Sequence, residues 1–368
     1  MKNENFGFAK LSDNPVNFTK LNELKQVLSE QKVLLRKQKS SLVHSESVLK
    51  DLGLYSSETS VPINNGHLKG SDILMSIFTK APKDKIIIGR DFDSILCGIL
   101  LNKVYGSKVV GFFDTTTLKI DKNYVLKECF FVDIEILKEG YYSIGNHLNC
   151  IHKDCYNPGF LRKISGCVNA NLVNRINAKS RYTKYPFSSI VLLLFLLEKE
   201  GISLDMLGID IEYLKNIVAL ADGTLNTIYN YNYTDNAYRW TTDFFGGSEV
   251  SKRILLPLFS MTAFEKRDIE SFFKNGDKKF KTSIPKTKCD EQLKPYIVSI
   301  HRQLGITFDE ERWIMFGDNM EEHKFSDRVG KTTKKDSLGL YHSRSNMITS
   351  CIRQDTCMVY TADVNKVM

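Results

Sequence analysis

No stretch of this 368-residue sequence is apolar for long enough to cross a bilayer. The longest run, Ile190 to Leu197, falls far short of the roughly 20 residues a spanning helix needs. The N-terminal MKNENFGFAK also lacks the hydrophobic core of a secretion signal. The expectation is a soluble, intracellular, cytoplasmic protein without a membrane partner. Cys-x-x-Cys pairs are missing too. The eight cysteines (Cys97, Cys129, Cys150, Cys155, Cys167, Cys289, Cys351 and Cys357) show no zinc-ribbon spacing, and a chain of this length needs no disulfide staples. Reduced thiols follow. The tightest group, Cys150, His152, Cys155 and Cys167, lacks knuckle spacing in its second half and reads as core and loop residues.

The third absence is local. From Cys155 to Leu197 there is no Asp or Glu, while Arg162, Lys163, Arg175, Lys179, Arg181 and Lys184 supply six cations. With a net charge of +8, this favours an acidic partner such as nucleic acid. A convincing Ser-His-Asp arrangement is lacking as well, so no side-chain nucleophile is indicated.

An apolar fraction of 42% fills the cores of two domains and an additional arm. Leu21, Leu28, Leu35, Leu42 and Leu49 recur every seven residues and suggest a helical stripe. The companion positions Leu24, Gln31, Gln38 and Ser45 are mostly polar, which favours an arm packed on its own domain over a coiled coil. A homo-oligomer joined through that arm is the competing reading. Residues 53–70 read as a loop, which gives an N-terminal helical arm and linker over 1–70.

Strand and helix then alternate. Lys85 to Gly89, Lys108 to Phe113, Cys129 to Ile134 and Tyr141 to Asn146 read as strands, and Ser94 to Tyr105 reads as a helix. Continuous β-branched runs separated by crossovers predict an α/β fold with a parallel sheet covered by helices on both faces. Helices follow from Pro186 to about Glu200 and over Leu204 to Leu220. A Lys-rich stretch, including Lys274, Lys278, Lys279, Lys281, Lys286 and Lys288, places a boundary near 275. The expected domains are thus 71–274 and a small C-terminal α/β domain over 275–368, with strands at Arg312 to Phe316 and Cys357 to Thr361.

The first strand ends in Gly89-Arg-Asp-Phe-Asp-Ser94, placing Asp91 and Asp93 at the carboxyl edge where parallel sheets bind ligands. Asp133 ends another strand, Asn146-His147 follows the next, and Asp222 closes a later helix. Hard oxygen donors with one imidazole suit Mn²⁺ or Mg²⁺, as one or two ions, with Asp133 the candidate bridge. A lone Asp-x-Asp at a strand end is otherwise a helix cap or a solvated turn, and Asp222 could be an ordinary helix end capped by Gly223.

In this order the residues resemble the DHH phosphoesterase superfamily, over roughly residues 85 to 225. That superfamily includes RecJ-like exonucleases, oligoribonucleases, cyclic-dinucleotide phosphodiesterases and family II pyrophosphatases. Its first motif resembles Asp91-Phe-Asp93-Ser94, its second Asp133, its namesake motif Asn146-His147-Leu148, and its fourth Asp222. Asn157-Pro158 and Lys184-Tyr-Pro-Phe187 are similar to intervening segments. Two departures stand out. The additional upstream His or Asp is absent from Ile86 to Arg90, leaving one metal position a ligand short, and Asn146 and Leu148 replace the namesake Asp and second His. A one-metal enzyme, a rewired site and a non-catalytic binding domain all fit these departures.

The resemblance implies a metal-dependent hydrolase of phosphodiester bonds in single-stranded nucleic acid or short oligonucleotides. Asp91, Asp93, Asp133, His147 and Asp222 would hold the metal, with Asp133 and His147 central to catalysis and a metal-bound hydroxide as nucleophile. Candidate substrate contacts are Arg90, Asn146, Arg162, Lys163, Arg181 and Lys184, whose cations interleave with Tyr156, Phe160, Tyr182, Tyr185 and Phe187. Arg344, in a Tyr341-His-Ser-Arg-Ser345 segment similar to the substrate-contacting segment of such C-terminal domains, would clamp a phosphate. A cyclic-dinucleotide or nucleotide phosphodiesterase, or a DHH-fold protein that binds without cleaving, are the alternatives.

Overall fold

Three consecutive isoleucines set the centre of the sheet. Side chains alternate along a strand, so Ile86 and Ile88 of β1 (Lys85–Ile88) enter one buried cluster and Ile87 enters another on the opposite face. A computed structural model describes residues 69–114, 116–150, 153–262, 265–266, 268–269, 289–331, 347–353 and 357–362, those beyond Phe325 by their backbone alone. The leucine stripe, the 53–68 loop, the Lys-rich stretch 274–288, His152 and Arg344 lie outside the described residues.

Strand β1 pairs in parallel with β2 (Lys108–Phe113) on one side and β4 (Phe130–Val132) on the other. β5 (Tyr142–Ile144) and β6 (Cys167–Val168) continue the parallel array. Two antiparallel strands, β3 (Thr117–Asp121) and β7 (Met320–Lys324), complete a seven-stranded sheet in the order β6-β5-β4-β1-β2-β3-β7. The fold is therefore α/β with a mostly parallel sheet, as the alternation predicted. β8 (Ser326–Lys331), β9 (Met347–Arg353) and β10 (Cys357–Ala362) form a separate three-stranded antiparallel sheet.

The helices gather chiefly on the face of Ile86 and Ile88. α1 (Lys69–Lys80) supplies Leu74 and Phe78 to that core, and α2 (Phe92–Tyr105) is buried from Phe92 to Asn102. Asp91 caps α2, its carboxylate accepting from the Ser94 amide at 2.9 Å, and Gly106 closes it in the left-handed conformation at φ 69°. Short helices α3 (Pro158–Lys163) and α4 (Ala170–Val173) precede α5 (Ser189–Lys199), which is apolar all round and buried from Ser189 to Leu197. α6 (Ile211–Leu220), α7 (Thr224–Ile228), α8 (Thr234–Arg239), α9 (Leu256–Phe259) and α10 (Cys289–Gln303) follow. The cluster on the opposite face contains Ile87, Val110, Phe131 and Phe325 and draws on none of these helices, so α-helices do not cover both faces equally.

Residues assigned from sequence to a C-terminal domain contribute to the main core. Leu293, Ile297 and Ile300 of α10 and Trp313 pack in the cluster of Ile86 and Ile88, and β7 extends the main sheet. The strand expected at Arg312 to Phe316 is instead a pair of 3-10 turns, Glu310–Arg312 and Ile314–Phe316. Its apolar residues are spent on Trp313 and Met315, which point into the core without sheet pairing. Described residues on both sides of position 275 thus share one core.

Candidate active site

Most of the site hangs from the carboxyl ends of β1, β4 and β5, with Asn169 following β6 and Asp222 following α6. Ser94 ties two of them together: its hydroxyl accepts from the Gly89 amide at 2.5 Å and donates to the Val132 carbonyl at 2.7 Å. This fixes the segments carrying Asp91, Asp93 and Asp133. Asp133 and Asp222 both take up left-handed backbone, φ 60° and φ 42°, which a non-glycine residue adopts only when its surroundings hold it there.

The carboxylates form one electrostatic group. Burial is the main force raising the Asp91, Asp93 and Asp133 carboxyls above their ordinary range, and the repulsion of neighbouring carboxylates, Asp222 among them, adds to it. Asp133 lies within hydrogen-bonding reach of Asp91 and also accepts the Ser189 hydroxyl.

Asp93 has a second task. Its two oxygens accept from the Ser189 amide at 2.6 Å and the Ile190 amide at 2.9 Å. The Ser188 side chain makes no cap bond, so Asp93 satisfies the N-terminal amides of α5 from across the fold. Asp91 is likewise a helix cap, as the plain reading of an Asp-x-Asp pair anticipates.

His147 is held by a residue that the motif reading passed over. Glu135, fully buried, accepts the His147 backbone amide at 2.6 Å and faces its Nδ1 at 3.0 Å. Asn169 donates to the same carboxylate at 2.8 Å and to the His147 carbonyl at 2.9 Å. Burial pushes the Glu135 carboxyl up, but the His147 imidazole and the hydrogen bonds from His147 outweigh it and bring it below its usual value. With Nδ1 donating to Glu135, the lone pair sits on Nε2, the tautomer a ligating histidine requires. Gly145 leaves the room: a Cβ there would lie 2.2 Å from Glu135 Oε1.

Asn146, expected among the substrate contacts, is committed to the fold. Its amide donates to the Phe187 carbonyl at 3.0 Å and to Asp222 at 2.6 Å, so it positions Asp222. Its Oδ1 is buried with no hydrogen-bond partner among the described residues. Asn157-Pro158, likened to a motif segment, starts α3, Asn157 capping the Phe160 amide at 3.0 Å. A second Asn at the site is Asn169, directly after β6.

Of the other candidate contacts, Arg90, Lys163, Arg181 and Lys184 are half-buried and Arg162 is exposed. Tyr185 and Phe187 are core residues. Tyr296 of α10 stands close enough to Asp91 for the carboxylate, after burial, to help raise its phenol. Cys150, Cys155 and Cys167 are buried thiols outside any disulfide, packed with Phe160, Ile164 and Leu172.

Hard oxygen donors with one supported imidazole fit Mn²⁺ or Mg²⁺ in kind, and a cation would offset the repulsion among them. Among the described residues, however, no three Asp, Glu, His or Cys side chains already converge in an arrangement that could hold a metal ion. Compared with protein-family models, curated proteins and solved structures, the chain shows no match.

Two signals were present in the sequence and carried no weight in the motif reading. Glu135 follows Asp133 by two residues in Asp-Ile-Glu, and Tyr229-Asn-Tyr-Asn-Tyr233 alternates aromatics in a way a buried helix does not use.

Proposed function

We propose that this protein is a metal-dependent phosphodiester hydrolase acting on single-stranded nucleic acid or short oligonucleotides, with a DHH-type domain over roughly residues 85 to 225. One observation carries the reading. Asp93 and Asp133, both buried, and half-buried Asp91 lie at the carboxyl ends of parallel strands, with exposed Asp222 within their electrostatic reach and, after β5, a histidine braced by Glu135.

Asp91, Asp133, Asp222 and the His147 Nε2 would hold one or two Mn²⁺ or Mg²⁺ ions. Such an ion, when bound, activates water and offsets the charge that develops in an in-line phosphoryl displacement. Glu135 and Asn169 orient His147, Asn146 places Asp222, and Ser94 keeps the β1 and β4 ends in register. Asp93 sets the start of α5, whose Ser189 reaches Asp133.

A second reading, binding without cleavage, is favoured by the full engagement of Asp93 with α5 and by the lack of a ready three-ligand arrangement. The two are separated by incubating an end-labelled single-stranded oligonucleotide with the protein and Mn²⁺, alongside Asp133→Asn and an EDTA control. Stepwise shortening that EDTA and Asp133→Asn both abolish supports hydrolysis. Tight binding with intact product under every metal supports the second reading, and cleavage confined to a cyclic dinucleotide would change the substrate assignment.

A further inference from the structure

Among the described residues, most of the large apolar side chains left exposed are tyrosines from two short segments. Tyr182, Tyr229, Tyr231 and Tyr238 are exposed, Tyr231 by 85%, whereas the other exposed large residues, Ile73, Val125 and Met206, come from three unrelated places. The two segments are fastened together. Tyr182 stacks on Tyr233 with centroids 5.9 Å apart and planes at 26°, Asn236 donates to the Lys184 carbonyl at 2.7 Å, and the Trp240 indole donates to the Thr183 carbonyl at 3.0 Å. Arg181 lies over the Tyr182 ring at 4.7 Å and donates to its hydroxyl at 2.8 Å.

The charge of these segments is one-sided. Residues 178–184 and 229–240 contain Lys179, Arg181, Lys184 and Arg239 against the single acid Asp235. Cations beside exposed, stacked aromatic rings are the recognition chemistry of single-stranded nucleic acid, with phosphates on the cations and bases on the rings. Guanidinium planes also stack on bases.

The patch is tied to the carboxylate group. Tyr182 precedes Ser189, the partner of Asp133, by seven residues, at most about 25 Å of extended chain. Between them, Tyr185 packs against Trp240 at 5.3 Å and lies within the electrostatic reach of Asp93 and Asp222.

We infer that the Arg181, Tyr182 and Tyr233 stack, with exposed Tyr231 and Tyr238, is a base-stacking platform for a single-stranded oligonucleotide whose backbone leads to the carboxylate site. This rests on the proposed hydrolase reading and adds a site outside the motifs that support it.

Fluorescence anisotropy of a labelled 12-mer of thymidylate in EDTA tests the platform without cleavage, using wild type, Tyr182→Ala, Tyr182→Phe and Tyr231→Ala. An abasic 12-mer of equal charge serves as the second probe. Tyr182→Ala is expected to weaken thymidylate binding about tenfold, Tyr182→Phe to stay close to wild type, and abasic binding to change little. Equal affinity of wild type, Tyr182→Ala and Tyr231→Ala for thymidylate would overturn the platform, as would equal losses on both probes. Hydrolysis of bis(p-nitrophenyl) phosphate with Mn²⁺ reads the carboxylate site alone. If the wild type lacks it while thymidylate binding depends on Tyr182, the platform stands and the hydrolase reading falls.

Discussion

Glu135 grips His147 twice, through the backbone amide at 2.6 Å and through Nδ1 at 3.0 Å. The same carboxylate therefore fixes both the position of the histidine and its tautomer. Carboxylates behind ligating histidines are typically worth 10- to 100-fold in metal affinity, so Glu135→Gln should weaken Mn²⁺ binding by about that factor. Gly145→Ala should act similarly, because its Cβ would occupy the space of Glu135 Oε1. Calorimetric Mn²⁺ titration checks both, and thermal unfolding in EDTA separates lost affinity from lost fold. Unchanged affinity in both variants would remove Glu135 from the site.

Two aspartates of one cluster should respond in opposite directions. Asp133 is buried against like charge, and asparagine tolerates its left-handed backbone and can still accept from Ser189. Asp133→Asn should therefore stabilise the metal-free protein, by on the order of 1 kcal/mol. Asp93→Ala strips the first amides of α5 of their acceptor and should cost about 2–3 kcal/mol. Urea unfolding in EDTA measures both, and loss of stability in each would contradict the division of roles.

His301 gives a pH dependence remote from the carboxylates. It lies buried between Phe308 and Trp313, ring centroids 5.2 and 5.4 Å away, and neither ring nitrogen has a hydrogen-bond partner of good geometry among the described residues. Burial pushes its pKa down to about 4. The folded state thus favours the neutral ring, so its contribution is complete above the unfolded value of about 6.5 and declines as pH falls toward 4. His301→Phe should flatten that part of the stability profile. An equal slope in wild type and variant between pH 6.5 and 4 would reject the assignment.

Truncation addresses the domain boundary. A chain ending at residue 274 loses β7, Trp313 and the apolar face of α10, and exposes their partners in the main core. It should fail to unfold cooperatively, whereas an independent domain over 71–274 would keep a sharp transition.

The parallel strands were legible because their runs are continuous and β-branched. Lys108–Phe113 matches its predicted bounds, and Lys85–Ile88 and Phe130–Val132 fall within theirs. The antiparallel strands were not, since Thr117–Asp121 and Met320–Lys324 mix charge with single apolar residues and gain definition only by pairing, β3 with both β2 and β7. Arg312 to Phe316 misled for the opposite reason: Trp313 and Met315 alternate as in a strand, yet they are anchors on two turns. In the site, the order of Asp91, Asp93, Asp133, His147 and Asp222 pointed to the carboxyl edge of the sheet, and among the described residues no three of these side chains converge as a metal-ready set. Glu135, Asn169 and the role of Asn146 were hidden because side chains that support ligands follow tertiary contact, not sequence spacing.

Hydrolysis by this site requires that the carboxylate group take a cation. Calorimetric titration of the metal-free protein with Mn²⁺ should show one or two ions bound by the wild type and lost in Asp133→Asn and His147→Ala. A wild type that binds neither Mn²⁺ nor Mg²⁺, or variants that bind as the wild type does, would contradict the account.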